Sequence, residues 1–240
     1  MKRFHPIHAI SIPIWSRILI QPGINREAAM NTYAKNVATS AADAAKITPR
    51  AEFRVFGKDI IHGVQQHMWD AKATLYAARR MPAEIYFLSA KTDAANVKVR
   101  DSLLDIKLKV GETPEGFEIF QPRGKFQFPV SQADLQTILG FLQVDIALDK
   151  AQYELAEFVA MAKAHPDLCT VSVEKMRYGF SVDGIICEYA QVWFNGALME
   201  TACCESEDYA GIKAAAEKLG IAQLDNINYL KAGKQVVGMA

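Results

Sequence analysis

Basic side chains alternate with uncharged ones in two stretches of this sequence. Lys98 and Arg100 are separated by one valine, and Lys175 and Arg177 by one methionine. Because successive side chains of a β-strand point to opposite faces, each stretch predicts a strand with long cations along one face. Guanidinium and ammonium groups held on rigid strands are suited to bind the oxygen atoms of phosphate groups. The two stretches therefore predict a site for a phosphate-rich anion.

Other charged residues fit the same face of the predicted sheet. After Arg100, the residues Asp105, Lys107 and Lys109 alternate with apolar ones, which predicts a further strand of the same kind. If the strands close into a barrel, one face carries eight cations and five anions. The cations are Arg54, Lys98, Arg100, Lys107, Lys109, Lys125, Lys175 and Arg177. The anions are Glu52, Asp105, Glu118, Glu188 and Glu200.

This pattern allows two interpretations. A closed barrel must fill its lumen, and charges cannot be left unpaired away from water. A cationic lumen therefore calls for an anionic ligand or a wet channel, and carboxylates among the cations suit Mg²⁺ or Mn²⁺. In the other interpretation the sheet is open and the same side chains face solvent. The alternation alone does not decide between them.

The predicted elements place the charged residues on strands between helices. Strands are predicted at 51–56, 84–89, 97–100, 104–109 and 117–120, and as a three-stranded meander over 171–205. Helices are predicted at about 59–79, 131–142, 150–165, 209–219 and 226–230. A proline at Pro49 disfavours helix at the residue before it, so a boundary is predicted there. Residues 1–50 are predicted to be a partly helical extension, and residues 51–240 the charged domain with its C-terminal helices.

Composition excludes several classes of protein. The 240 residues contain 27 basic and 27 acidic side chains, so no overall positive field attracts nucleic acid. No segment has the length and apolarity of a membrane span. The four cysteines include no Cys-x-x-Cys pair, which is typical of reduced thiols in a cytoplasmic protein. We therefore expect a cytoplasmic protein with a small-molecule ligand. The sequence is compatible with a homodimer and does not decide the oligomeric state.

The order of the charged motifs resembles a known superfamily. The motifs are Glu52-Phe53-Arg54, Val97-Lys98-Val99-Arg100, Leu104-Asp105-Ile106-Lys107, Glu118, Lys175-Met176-Arg177, Cys187-Glu188-Tyr189 and Asn195-Gly196 followed by Glu200. Together they resemble the CYTH-like, or triphosphate tunnel metalloenzyme, superfamily of thiamine triphosphatases, class IV adenylate cyclases and inorganic triphosphatases. The resemblance covers about residues 51–205. Each motif is short, and their order along the chain carries the resemblance.

The resemblance implies an α+β fold with an eight-stranded antiparallel tunnel and flanking helices. It implies that phosphate is bound by Lys98, Arg100, Lys107, Lys175 and Arg177. It implies that Mg²⁺ or Mn²⁺ is held by Glu52, Glu118, Glu188 and Glu200. The implied reaction is metal-assisted phosphoryl transfer, here the hydrolysis of a triphosphate.

Two departures from the family pattern bear on that reaction. The family opens with Glu-x-Glu-x-Lys, whereas this chain has Arg54 and Phe56 at the second and third of those places. The family also closes its barrel with Glu-x-Glu. In this chain Glu200 occupies the first of these places and Ala202 the place of the second glutamate. A triphosphatase is the main expectation. The alternatives are a non-catalytic module that binds polyphosphate or a nucleotide, and a class IV-like adenylate cyclase.

Overall fold

The computed structural model describes residues 49–239, and it consists of ten strands and five helices. In chain order they are β1 (Arg50–Gly57), α1 (Ile60–Met68), β2 (Thr74–Ser89), β3 (Thr92–Arg100), β4 (Leu103–Glu112), β5 (Glu118–Gln127), β6 (Val130–Ser131), α2 (Gln132–Phe141), β7 (Gln152–Tyr153), α3 (Leu155–Ala164), β8 (Leu168–Val182), β9 (Ile185–Phe194), β10 (Ala197–Ser206), α4 (Tyr209–Lys218) and α5 (Tyr229–Val237). None of these five helices has the length and apolarity needed to cross a membrane.

Eight strands form one closed ring. Their order is β1–β10–β9–β8–β2–β3–β4–β5, and β1 also pairs with β5, which closes the ring. All neighbouring strands are antiparallel. The tight turn between β9 and β10 has positive φ angles at Asn195 and Gly196, the residues that such a turn favours. The predicted fold class, an eight-stranded antiparallel barrel with flanking helices, is confirmed.

The apolar faces of the strands point outward, to the helices. Phe53 and Val55 of β1 pack with Ile212 of α4 in one buried cluster. Val97 of β3 packs with Leu135 of α2 in a second cluster on the other side of the ring. Because strand side chains alternate, this outward packing turns the charged residues of the same strands inward. The charged faces predicted from the sequence therefore line a shared lumen.

The C-terminal helix α5 closes one end of the ring. Tyr229 and Leu230 pack against Phe194, Val192 and Tyr86, which come from the inner faces of β9 and β2. The segment before α5 runs beside β1, where Ile227 N donates to Arg54 O at 2.7 Å. The lumen is thus a funnel with one closed end, and its mouth lies at the opposite end of the strands. The sequence predicted a shorter helix near these residues and no such role for it.

One predicted helix is wrong over half its length. Helix was predicted from about residue 59 to residue 79, but α1 ends at Met68 and the chain enters β2 at Thr74. The alanine-rich part of β2 pairs with β8, and two irregularities in register, one of them spanning Pro82, accommodate the extra residues. Pairing with a distant strand overrides the local helix propensity here.

Residues 1–50 were predicted to form an extension, and all but the last two lie outside the described residues. The first strand of the ring begins at Arg50, one residue before residue 51, the predicted start of the charged domain. Every strand and helix of the ring lies within residues 50–237. The independence of residues 51–240 as a domain stays a prediction.

Candidate anion-binding site

The funnel brings together most of the charged residues that the sequence predicted. Those on its inner wall are Glu52, Arg54, Lys98, Arg100, Asp105, Lys107, Lys125, Lys175, Arg177 and Glu188. Strand register supports this placement, because Asp105 is the cross-strand partner of both Lys98 and Lys125. Three groups can be distinguished by depth and by partner.

The deepest group, here called the floor cluster, consists of Glu84, Tyr86, Lys98 and Lys175. Both ammonium groups contact one carboxylate oxygen: Lys175 Nζ lies 2.7 Å and Lys98 Nζ 3.5 Å from Glu84 Oε2. Both also donate to the hydroxyl of Tyr86, at 3.0 and 3.3 Å. All four side chains are buried. The cluster therefore holds two potential positive charges against one negative charge, away from bulk water.

This imbalance perturbs the protonation of the floor cluster. Burial, together with the nearby charge of Lys98, lowers the pKa of Lys175 to about 7. Burial by itself would raise the pKa of Glu84, but the two ammonium groups outweigh it and lower that pKa to about 2. Burial also lowers the pKa of Lys98. Additional negative charge near the floor would favour the protonated form of both lysines.

The second group is an arginine–glutamate cluster formed by Glu52, Arg54, Arg177 and Glu188. Arg54 Nε donates to Glu52 Oε1 at 2.7 Å, and its Nη1 lies 3.7 Å from Glu188 Oε1. Arg177 also forms an ion pair with Glu188. Two guanidinium groups thus match two carboxylates. Arg54 further contacts Tyr229 of α5, with its Cζ 4.7 Å from the ring centroid, so the cluster rests on the closed end.

The third group, the rim, lies nearer the mouth and consists of Arg100, Asp105, Lys107 and Lys125. Arg100 Nη2 donates to Asp105 Oδ2 at 2.6 Å. Among the described residues, Lys107 and Lys125 have no carboxylate within ion-pair distance. Their side chains are partly exposed. The rim therefore carries positive charge that no ion pair within residues 49–239 neutralises, although Lys107 acts at longer range on Glu52 and Glu205.

Lys109 and Glu118 lie at the closed end of the funnel and contact each other there. Lys109 Nζ lies 3.1 Å from Glu118 Oε1, and Lys231 Nζ lies 3.5 Å from the same oxygen. Asn228, the N-cap of α5, donates from Nδ2 to Glu118 Oε2 at 2.8 Å. Both oxygens of this carboxylate are thus engaged, and two of the three donors, Asn228 and Lys231, belong to α5 or its N-cap. The predicted substrate role of Lys109 and the predicted metal role of Glu118 stay predictions.

Glu200 lies on the outer face of the ring, which corrects its predicted place among the metal ligands. Glu188 is the cross-strand partner of Cys203, so the inner face of β10 carries Thr201 and Cys203. Glu200 has the opposite orientation. Its Oε2 accepts a hydrogen bond from Ile61 N at 3.0 Å, in the first turn of α1. The side chain of the N-cap residue Asp59 makes no capping bond, and Glu200 satisfies one of the free backbone donors instead.

We predict that Glu200→Ala lowers the free energy of unfolding by about 1 kcal/mol, the usual cost of losing a helix cap. Affinity for an anion in the funnel should not change, because the side chain lies outside the lumen. Chemical denaturation and ligand titration of the same variant measure the two effects. Weakened binding with unchanged stability would place Glu200 in the site after all.

Two functional candidates were missed in the sequence, Glu84 and Glu205. Glu84 follows Pro82 in a stretch where the strand register shifts, so its orientation could not be read from alternation. Glu205 is the cross-strand partner of Glu52 and therefore shares its inward face. Burial, and then the neighbouring charge of Glu52, raises the pKa of Glu205. Counting strand positions from Cys203 rather than from Glu200 would have identified Glu205.

Of the four predicted metal ligands, Glu52 and Glu118 are cross-strand partners, but all four carboxylates are engaged by groups of the protein. Glu52 and Glu188 are bound by arginines, Glu118 by the residues that hold α5, and Glu200 lies outside. Within residues 49–239 no three potential ligands are arranged to hold a metal ion by themselves. Mg²⁺, however, is usually held by one or two carboxylates together with phosphate oxygens. The paired carboxylates of Glu52 and Glu205 fit that mode, and their mutual repulsion would be relieved by a cation.

Comparisons with known proteins concern the fold. No protein-family model and no curated protein matches the sequence. A proposed adenylate cyclase from Bacillus halodurans is 12% identical with a TM-score of 0.41, over 76% of this chain and 96% of that one. A proposed adenylyl cyclase from Hippeastrum with a dominant triphosphatase activity is 10% identical with a TM-score of 0.45, over 79% and 96%. A conserved hypothetical protein from Pyrococcus furiosus is 12% identical with a TM-score of 0.43, over 75% and 98%.

At these levels of similarity the matches assign no activity to this chain. The ring and lumen of the chain itself are the stronger observation. Eight antiparallel strands close into a ring, and they direct most of the charged residues that carried the resemblance, though not Glu200, into one lumen. The closed eight-stranded antiparallel ring that the resemblance to the CYTH-like superfamily implies is therefore present in this chain.

Proposed function

We propose that the funnel binds a triphosphate-type anion. The observation that carries this proposal is the pair of rim lysines, Lys107 and Lys125, which face the lumen without an ion pair to any carboxylate of residues 49–239. Each other cation of the inner wall contacts at least one carboxylate. An anion that enters the mouth meets this unneutralised charge first. A linear chain of phosphates is long enough to reach inward from the rim toward the deeper cations.

The deeper groups would bind such a chain with little rearrangement. Arg100 and Arg177 have side chains that are 25% and 31% exposed, so each can exchange part of its present ion pair for a phosphate oxygen. Hydrogen bonds from charged donors to phosphate oxygens are short and strong. At the floor, Lys98 and Lys175 share one carboxylate, and a terminal phosphate supplies the charge that would match the second lysine. The closed end excludes a longer anion from passing through.

We predict that Lys107→Ala weakens the affinity for inorganic triphosphate by about tenfold or more, since charged hydrogen bonds contribute about 1.5–3 kcal/mol. The melting temperature of the ligand-free protein should fall little, because Lys107 forms no ion pair with a described carboxylate and acts on Glu52 and Glu205 only at longer range. Isothermal titration calorimetry and thermal melts measure the two quantities.

Lys109→Ala is the matched control, because Lys109 lies two residues further along β4 and is engaged by Glu112 and Glu118. This variant should lose stability and keep its affinity. The reverse outcome, in which Lys109→Ala loses affinity and Lys107→Ala does not, would move the anion from the rim to the closed end.

Hydrolysis of the bound anion is a second candidate function, and the Glu52–Glu205 pair favours it. Glu52 belongs to the arginine–glutamate cluster, and Glu205 is its cross-strand partner. A phosphate bound by Arg177 would therefore lie close to both carboxylates. Mg²⁺ or Mn²⁺ held there would neutralise charge that develops on the phosphate oxygens. Arg54 and Arg177 would orient the phosphate, and the rim lysines would hold the departing part of the chain. Arg54 stands where the family has its second glutamate, which removes one expected metal ligand.

The release of phosphate separates an enzyme from a binding module. Inorganic triphosphate and ATP are incubated with the protein and with Mg²⁺ or Mn²⁺, and released phosphate is measured. If the protein is a hydrolase, Glu205→Gln should reduce release strongly and Glu200→Gln should not. Binding without release in the wild type would select the non-catalytic module.

A further inference from the structure

The first residue of α5 places a tyrosine inside the closed end of the funnel. Tyr229 is only 9% exposed, and its ring packs against those of Phe56, Tyr86 and Phe194, at centroid distances of 5.1, 6.0 and 6.3 Å. Its hydroxyl oxygen is buried and has no hydrogen-bond partner among residues 49–239. A buried polar group without a partner costs free energy, so this hydroxyl calls for an explanation.

Two cations of the funnel lie over the ring of Tyr229. Arg54 Cζ is 4.7 Å and Lys175 Nζ 4.5 Å from the ring centroid. The charges of Arg54, Glu188 and Arg177 all act on the hydroxyl, which places it beside the arginine–glutamate cluster. Tyr229 therefore stands where the floor cluster and the arginine–glutamate cluster meet. The positive groups on both sides favour an anion at this place.

The hydroxyl of Tyr229 is available as a hydrogen-bond donor. Arginine and lysine side chains have no acceptor atom, so neither Arg54 nor Lys175 can receive its proton. Burial raises the pKa of Tyr229, so the hydroxyl keeps that proton at neutral pH. Tyr86 differs, because its hydroxyl already accepts hydrogen bonds from both floor lysines. The group that would satisfy Tyr229 is therefore an acceptor, such as an oxygen atom of an anion held by the two cations.

The chain on either side of Tyr229 fixes its position. Asn228, the N-cap of α5, accepts hydrogen bonds from Leu230 N and Lys231 N, at 2.9 and 3.0 Å. Its Nδ2 donates to Glu118 Oε2 at 2.8 Å. The tyrosine is thus held against the ring of strands before a ligand arrives. A donor that is already in place binds without the cost of ordering it.

We infer that Tyr229 is a further ligand of the bound anion, and that its hydroxyl donates a hydrogen bond to the phosphate group that reaches the closed end. This inference rests on the proposed function and adds a neutral donor to a site built otherwise from cations. An anion held only at the rim would not contact this hydroxyl. Tyr229 therefore favours a phosphate chain that extends to the floor, and the same bond joins α5 to the ligand.

The test is Tyr229→Phe, titrated with inorganic triphosphate in a calorimeter without divalent metal. The affinity should fall by about tenfold, as expected for the loss of a hydrogen bond to a charged group. The melting temperature of the ligand-free protein should not fall, because the change removes a buried hydroxyl that has no partner. Triphosphate should also slow hydrogen exchange of the α5 amides, and should slow it less in the variant.

Tyr153→Phe is the matched control, because this buried tyrosine has a hydroxyl with partners. It accepts from Lys150 N at 2.8 Å and donates to Asp149 Oδ1 at 3.2 Å. Tyr153 belongs to the cluster outside the ring, beneath α2 and α3. The control should lose stability and keep its affinity for triphosphate.

The outcomes separate this inference from the proposed function. If Lys107→Ala loses affinity and Tyr229→Phe does not, the anion site stands and the role of Tyr229 is wrong. If Tyr229→Phe lowers the melting temperature and keeps the affinity, the hydroxyl bonds to the protein, with Glu188 as the nearby acceptor, and the inference is overturned. If the wild type binds no triphosphate, the proposed function fails and the inference fails with it.

Discussion

Glu84→Gln is expected to lower the free energy of unfolding by about 3–5 kcal/mol at pH 6, the usual cost of removing one partner from a buried ion pair. Glu84 is the only carboxylate bound to the ammonium groups of Lys98 and Lys175 in the described part of the chain. Glutamine keeps the shape of the side chain and removes its charge. Two buried ammonium groups would then face each other without compensation.

The loss should shrink at alkaline pH. Burial already lowers the pKa of Lys175 to about 7, and without Glu84 the neutral form is favoured further. At pH 9 the variant therefore buries one charge fewer than at pH 6. Glu174→Gln is the matched control, because Glu174 forms an exposed ion pair with Arg80 and should cost little at either pH. A loss for Glu84→Gln that is independent of pH would mean that shape, and not charge, makes Glu84 necessary.

Anion binding is expected to take up a proton above pH 7, and the group that binds it is Lys175. Its ammonium faces Glu84, Lys98, Arg177, Tyr86 and Tyr229. A bound phosphate adds negative charge and raises the pKa of Lys175, so affinity should fall as the pH rises through about 7.

The stability of the ligand-free protein should respond in the opposite direction. The pKa of Lys175 is about 7 in the folded state and near 10.5 in the unfolded state, so the unfolded chain binds more protons between these values. The contribution of Lys175 to the free energy of unfolding is therefore least favourable below pH 7 and improves as the pH rises toward 10.5.

Calorimetry in two buffers of different ionisation enthalpy measures the proton uptake. At pH 7.5 the wild type should take up a fraction of a proton more per bound triphosphate than Lys175→Met does. The ligand's own protonation is common to both proteins and cancels in the difference. Equal uptake by the two proteins would show that Lys175 is not in contact with the anion.

Alternation in the sequence was sufficient to predict much of the lumen. Val97 and Val99, beside Lys98, pack outward against α2, and Tyr178, beside Arg177, packs outward beneath α1. The inward orientation of these cations therefore follows from period two alone. The same rule failed for Glu200, because the parity of β10 depends on its pairing with Glu188 at Cys203. An error of one position reverses the face.

Other features depend on contacts between distant parts of the chain. The partner of both floor lysines, Glu84, follows a bulge and a proline, where alternation is interrupted. The closed end is formed by α5, whose apolar face resembles that of any surface helix until the ring exists to receive it. The matching of Arg54 with Glu52 and Glu188 likewise joins two strands, β1 and β9, that are not neighbours in the ring. Single-sequence patterns report which residues share a face, and not which charges neutralise one another.

The binding of inorganic triphosphate to the wild type tests the central claim most directly. Thermal melts at constant ionic strength, with triphosphate or with sulfate as the added anion, measure it through mass action. We predict a rise in melting temperature that grows with triphosphate concentration, exceeds the effect of sulfate, and is greatly reduced when Lys107 and Lys125 are both replaced by alanine. No rise at millimolar triphosphate, or an equal rise with sulfate, would contradict an anion site in the funnel.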